Sequence, residues 1–123
     1  MKRIIMDLDE TICSTQEGKY NASTPNLPVI NKLREYKALG FEIIISTSRN
    51  MRTHSGNVGK INANTLPVII EWLTLHEVPY DEIYVGKPWC GYEGFYVDDK
   101  AIRPDEFAKL TYEEIKVLTG IKA

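Results

Sequence analysis

Apolar residues fall into short runs separated by polar stretches, and four of these runs read as strands. They are Arg3–Met6, Phe41–Ser46, Glu82–Val85 and Gly94–Val97, each rich in Ile, Val or aromatic residues and each ending in polar or glycine-containing sequence. The first two are continuous rather than alternating, which predicts a parallel sheet covered on both faces. Helical spacing appears between them. Asn26 is placed to cap a helix with Pro28 in its first turn and Gly40 past its end, and Val29, Ile30, Leu33 and Tyr36 share one face. A second helix is predicted over Thr65–Glu77, with Pro67 early and Leu66, Ile69, Ile70 and Leu73 as its buried stripe. A third begins at Thr111, where T-Y-E-E forms a capping box with Glu114, and Ile115 and Leu118 face inwards.

Strand, helix, strand, helix, strand, strand is an α/β pattern. It predicts a Rossmann-like parallel sheet flanked by helices, with right-handed crossovers. The 123 residues suffice for one domain, expected to span 1–123, and no repeat, low-complexity tract or linker divides them.

Composition narrows the function classes. A formal net charge of −2 gives no electrostatic drive towards nucleic acid or anionic membranes. Cys13 and Cys90 form no CxxC pair and no zinc spacing, so packing in a reducing cytosol is their simplest use. No apolar run approaches the roughly 20 residues that cross a bilayer. Acidic residues interrupt the start MKRIIMDLDE too soon for a signal peptide, so a cytoplasmic location is expected.

In open α/β sheets the active site lies beyond the carboxyl ends of the strands. There the sequence places Asp7-Leu8-Asp9-Glu10-Thr11, then Thr47-Ser48-Arg49, then Gly86-Lys87-Pro88, then Asp98-Asp99. Carboxylates gathered on one edge repel one another unless cations compensate. Lys87 supplies one positive charge, and a divalent metal would supply the rest. Hard oxygen ligands suit Mg²⁺. Lys60, in the polar loop SGNVGK, is the rival to Lys87, and Ser46 or Ser48 could take the place of Thr47. SGNVGK does not meet the Walker spacing. Arg49, Arg52 and Arg103 are candidates for substrate contact, with Thr11 and Ser48 beside them. His54 and His76 read as non-catalytic, with His76 on the exposed side of its helix. Trp72, Trp89 and Tyr92 read as packing, with sugar stacking open for the last two.

Asp7-x-Asp9-x-Thr11, then Thr47, then Lys87, then Asp98-Asp99 resembles the four motifs of the haloacid dehalogenase (HAD) superfamily, in order and each after an expected strand. The resemblance runs from Arg3 to Arg103. Within it, YDEIYVGKPW and GFYVDDKAIRP resemble the capsular-polysaccharide biosynthesis phosphatases. The resemblance implies a HAD-type phosphatase. Asp7 would attack phosphorus, Asp9 would protonate the leaving alcohol and later activate water, Thr47 would bind a phosphoryl oxygen, and Lys87 would neutralise the transferring group. Mg²⁺ would be held by the Asp7 carboxylate, the Asp9 carbonyl and Asp99, with Asp98 in support or in its place. Glu10 departs from the pattern, standing where a glycine is often found. The implied substrate is a phosphorylated small molecule, sugar-linked and tied to cell-surface polysaccharide.

Two rivals remain. A receiver domain would carry its phospho-acceptor after a middle strand, where this chain has STSR. A nucleic-acid 3′-phosphatase would carry a basic run, which is absent. No cap domain fits. The stretch from Ile12 to Asn26 allows a flap or hairpin, and the stretch between Thr47 and Lys87 is largely used by the second helix and third strand. The flap around Glu17–Thr24 and the loop Arg52–Lys60 would gate the site, and either a homo-oligomer or a large substrate would cover it.

Overall fold

A computed structural model describes residues 1–15 and 22–122. The chain forms two compact units, Met1–Trp89 and Cys90–Ala123. In chain order the first holds β1 (Arg3–Met6), β2 (Cys13–Ser14), β3 (Thr24–Pro25), α1 (Leu27–Ala38), β4 (Glu42–Ser46), α2 (Val58–Asn64), α3 (Leu66–Leu75) and β5 (Glu82–Tyr84). The second holds α4 (Pro104–Lys109) and α5 (Tyr112–Thr119).

Three strands form a parallel sheet in the order β1-β4-β5, flanked by helices. β4 is central because its sequence tolerates no solvent. Ile43, Ile44 and Ile45 are all buried, and β-branched side chains suit a pleated surface covered on both sides. β1 was expected to be covered likewise, but it lies at an edge of this sheet and Ile5 is 58% exposed. α1 packs on β4 through Val29, Ile30, Leu33 and Tyr36, the four positions the helical spacing singles out. Burying each large apolar side chain contributes roughly 1.5–3 kcal/mol. Tyr36 meets Phe41 edge-on at 5.0 Å. Asn26 precedes α1 without capping it through its side chain, which instead donates to the Thr11 carbonyl at 3.1 Å.

Several expectations need correction. Gly94–Val97 forms no strand. Gly94 follows a turn so tight that a Cβ there would collide with the Cys90 carbonyl, and Phe95 and Val97 are exposed rather than buried. The polar stretch SGNVGK is partly helical, because Asn57 caps α2 by accepting the Lys60 N–H at 3.1 Å. In α3, Trp72 joins Ile69 and Leu73 in the core while Ile70 is exposed, since the helix begins at Leu66 and turns that face outwards. In α5, Ile115 and Thr119 are buried and Leu118 is exposed, so the buried positions are four apart. The Thr111–Glu114 capping box is present, with bonds of 3.2 and 3.0 Å. Trp89 and Tyr92, expected to pack, are largely exposed. Among the described residues no helix is long and apolar enough to cross a membrane.

Asp81 ties the sheet to α1. Its N–H donates to the Ile43 carbonyl at 2.7 Å, its Oδ2 accepts the Ile43 N–H at 2.8 Å, and Lys37 Nζ donates to both carboxylate oxygens at 2.7 and 2.8 Å. The Lys37 ammonium, and then the Ile43 N–H, hold the Asp81 carboxyl below the usual aspartate range. A lowered folded value means the link stabilises above the unfolded pKa and fades as pH falls through the folded one. Asp81→Ala should therefore melt lower than wild type at pH 7, with the gap narrowing as acid protonates the Asp81 carboxylate. Thermal melts of both proteins at pH 7 and in acid check this, and a gap of constant size would contradict it.

Candidate active site

The carboxyl ends of the three parallel strands open onto one edge, and the chain just past each supplies the polar side chains. Past β1, the backbone stays extended long enough for Leu8 to turn into the core, where it is fully buried. Alternation then sends Asp7 and Asp9 to the opposite side together. The chain next folds back over Leu8, whose carbonyl accepts the N–H groups of Thr11, Ile12 and Cys13 at 3.2, 2.9 and 3.2 Å. That turn needs a left-handed residue, and Glu10 provides it at φ 60°.

Past β4, Thr47 is buried and continues the ladder to β5. Its N–H donates to the Tyr84 carbonyl at 2.9 Å, and its carbonyl accepts the Lys87 N–H at 3.1 Å. Gly86, at φ 84°, makes the bend between these two bonds that delivers Lys87. A Cβ there would also press on Val58 at 3.0 Å. The Thr47 hydroxyl accepts the Arg49 N–H at 3.0 Å. Asn50, also left-handed at φ 61°, accepts the Thr65 hydroxyl at 2.7 Å and so fastens this loop to the start of α3.

Asp7, Thr11 and Lys87 meet. Thr11 Oγ1 donates to Asp7 Oδ2 at 3.1 Å, and Lys87 Nζ stands 3.5 Å from Asp7 Oδ1. Lys60 is exposed on the first turn of α2. Asp9 meets Arg49. Nε donates to Oδ2 at 3.0 Å and Nη2 to Oδ1 at 2.7 Å, a bidentate fork. The Arg49 side chain is only 2% exposed against 28% for Asp9. Oδ1 of Asp9 also accepts the Thr15 hydroxyl at 2.9 Å and a longer contact from Cys13 Sγ at 3.7 Å. Thr15 is within 2.7 Å of Ser23 Oγ, and the Ser23 carbonyl accepts the buried Trp72 indole N–H at 3.0 Å. Burial pushes the Cys13 thiol up to about 11, so it is a packed neutral group at physiological pH and no nucleophile.

Other candidates lie elsewhere. Ser48 is half-buried and its carbonyl accepts the Met51 N–H at 3.0 Å. Arg52 and Arg103 are exposed. His76 lies tilted against Trp72 with ring centres 4.4 Å apart. Asp98 and Asp99 belong to the second unit and follow no strand. There Asp98 Oδ1 accepts the Lys100 N–H at 2.9 Å. The expected flap is bounded by β2 and β3, which pair antiparallel, while 16–21 lie outside the described residues. Among the described residues no three His, Cys, Asp or Glu side chains gather as a metal cluster. Asp7 is a carboxylate with a 37% exposed side chain, a donor type that suits a hard cation, whereas most of the donors to Asp9 crowd its Oδ1.

The Asp9–Arg49 fork was not anticipated, although the parallel register held a signal for it. Met6 pairs with Ile45 at the ends of β1 and β4, so the two loops that carry Asp9 and Arg49 leave the sheet side by side.

The α/β architecture defines a class shared with distant structures. One chain of the Pnkp1/Rnl/Hen1 complex aligns over 68% of this chain and 27% of its own length, at 21% identity and TM-score 0.54. A chain of the Pnkp1/Rnl/Hen1 RNA repair complex aligns over 94% and 31%, at 18% identity and TM-score 0.51. These likenesses concern the fold. A crystal structure of a target protein from Vibrio cholerae is far nearer, with 60% identity, 98% of both chains covered and TM-score 0.95. The chain belongs to the same family as that protein. No family model matches the chain, and the search of curated proteins gives no match.

Glu10 yields a local test. Its left-handed backbone costs roughly 1 kcal/mol in a non-glycine residue, partly offset by the Thr15 N–H that its carboxylate accepts at 3.2 Å. Glu10→Gly should unfold within about 1 kcal/mol of wild type, because relief of strain and the added freedom of the unfolded chain oppose each other. Glu10→Val should lose about 1–2 kcal/mol, since a β-branched residue fits that backbone poorly. Urea unfolding checks both, and equal stability of the two variants would contradict the strain.

Proposed function

We propose that the protein is a Mg²⁺-dependent phosphomonoester hydrolase of the HAD type, working through a phospho-aspartate on Asp7. The observation that supports this best is the grouping of Asp7, Thr11 and Lys87 at the carboxyl edge of a parallel sheet, with Lys87 Nζ 3.5 Å from Asp7 Oδ1. A carboxylate nucleophile must approach an anionic phosphoryl group, and a cation beside it lowers that repulsion. In this reading an Asp7 oxygen attacks phosphorus while the ester P–O bond breaks, and Asp9 gives its proton to the departing alcohol. Asp9 then takes a proton from the water that hydrolyses the acyl phosphate. The Thr47 hydroxyl accepts from the Arg49 N–H, which leaves its own proton to donate to a phosphoryl oxygen. Thr11, bonded to Asp7, would stand beside the phosphoryl group, while a substrate contact for Ser48 rests on its place in the motif alone.

Mg²⁺ would rest on the Asp7 carboxylate and the Asp9 carbonyl, and it would supply charge neutralisation for the phosphoryl group. Asp98 and Asp99 belong to the second unit, and their part in holding the metal rests on the motif resemblance alone. The same resemblance supports a sugar phosphate or related metabolite of surface-polysaccharide synthesis as substrate. A 3′-phosphorylated oligonucleotide is the alternative substrate, and the net charge of −2 weighs against it.

Phosphate release from a panel of phosphosugars, nucleotides and 3′-phosphorylated oligonucleotides tests the reading. Activity is expected on a sugar phosphate, dependent on added Mg²⁺ and lost in chelator. Asp7→Asn should abolish turnover and phosphoenzyme trapping. Lys87→Ala should lower kcat/KM by about 10²–10³, the size of effect of losing an electrostatic donor. Full activity in excess chelator, or in Asp7→Asn, would sink the proposal.

A further inference from the structure

Arg49 looks at first like a substrate arginine, set in the loop after the central strand. Its surroundings say otherwise. The side chain is 2% exposed, and its Nε and Nη2 are both spent on Asp9. An ionised carboxylate offers about four lone-pair positions, two on each oxygen. At Asp9 these are filled unevenly. Oδ1 receives Arg49 Nη2 at 2.7 Å, Thr15 Oγ1 at 2.9 Å and the weaker Cys13 Sγ at 3.7 Å. Among the described residues Oδ2 receives Arg49 Nε alone, at 3.0 Å. The fork also fixes the plane of the carboxylate, because Nε and Nη2 are rigidly coplanar.

We infer that Arg49 is a positioning residue which fixes the plane of Asp9 and leaves Oδ2 as the oxygen that exchanges the proton with the leaving alcohol and then with water. Thr15, braced by Ser23 at 2.7 Å, assists by closing Oδ1. This rests on the phosphatase reading above and adds to it a division between the two oxygens of one carboxylate. In the first half-reaction the proton on Oδ2 passes to the alkoxide oxygen as its bond to phosphorus breaks. In the second, Oδ2 takes a proton from the attacking water, which restores the starting state.

The test uses leaving groups. An alkyl phosphate needs a proton donor, whereas p-nitrophenyl phosphate expels a stable anion without one. kcat/KM reports only the steps through alcohol release, so it isolates the acid role. Arg49→Gln and Arg49→Lys should lower kcat/KM for the alkyl ester by about 100-fold or more, the range of general acid catalysis, but that for the aryl ester by less than about 5-fold. Thr15→Val should do the same more weakly. A phosphoryl-binding role would lower both esters alike, because both carry the same phosphate, and so would a merely structural role. Equal losses, or none, in variants that melt cooperatively overturn the inference while wild-type activity stands. Should the Arg49 variants fail to fold, the alkyl-to-aryl ratio of Thr15→Val decides. A wild type that cleaves neither ester, or an Asp7→Asn variant as active as wild type, overturns the phosphatase reading, and the inference with it.

Discussion

A buried guanidinium cannot be left without a counter-charge, and in this protein that constraint fixes the geometry of the first strand-end turn. Arg49 lies inside the structure, and Asp9 is the carboxylate that compensates it. Past β1, Leu8 is anchored in the core and Asp9 reaches Arg49 in the loop after β4. The chain then folds back over the Leu8 carbonyl, with the strained backbone at Glu10. Thr15, Ser23 and Trp72 extend the same network into the core beneath α3.

Such a pair is weak evidence for stability. Desolvating two charges costs about as much as their attraction returns, and apolar replacements of similar volume are often neutral or better. What the fork does achieve is orientation. Asp9 keeps a 28% exposed side chain while its plane is set from behind by a rigid donor. Asp7 shows the complementary arrangement. It has a hydroxyl at one oxygen and a lysine at the other, and its side chain is 37% exposed. One carboxylate is held in the wall of the site and its neighbour is left at the mouth, two residues apart and on the same side of the chain.

Much of this was legible in the sequence. β1, β4, β5, α1 and α5 follow from runs of Ile and Val, from Pro28, and from the Thr111–Glu114 box, because each is set by local chemistry. The strand-end residues Asp7, Asp9, Thr47 and Lys87 were legible because parallel sheets present their carboxyl ends together. The stretch Gly94–Val97 was not, since Phe, Tyr and Val favour a strand only where a partner strand completes it, and Gly94 follows a tight turn instead. The buried state of Arg49 was not legible either. An arginine after a strand is normally read as a surface residue, and only the register of two neighbouring strands turns it towards Asp9.

Lys87 and Arg49 differ in kind as cations. Arg49 is rigid, buried and forked, which suits it to hold another side chain in a plane. Lys87 carries a point charge on a flexible stem, and its side chain is 23% exposed. Its backbone, however, is pinned by the Thr47 carbonyl and bent there by Gly86. A fixed root on a flexible stem places one compact positive charge 3.5 Å from Asp7 Oδ1. Exchanging the two would lose the plane-fixing fork at Asp9 and the compact point charge at Asp7. The division between a rigid and a flexible cation thus matches the division between the two aspartates they face.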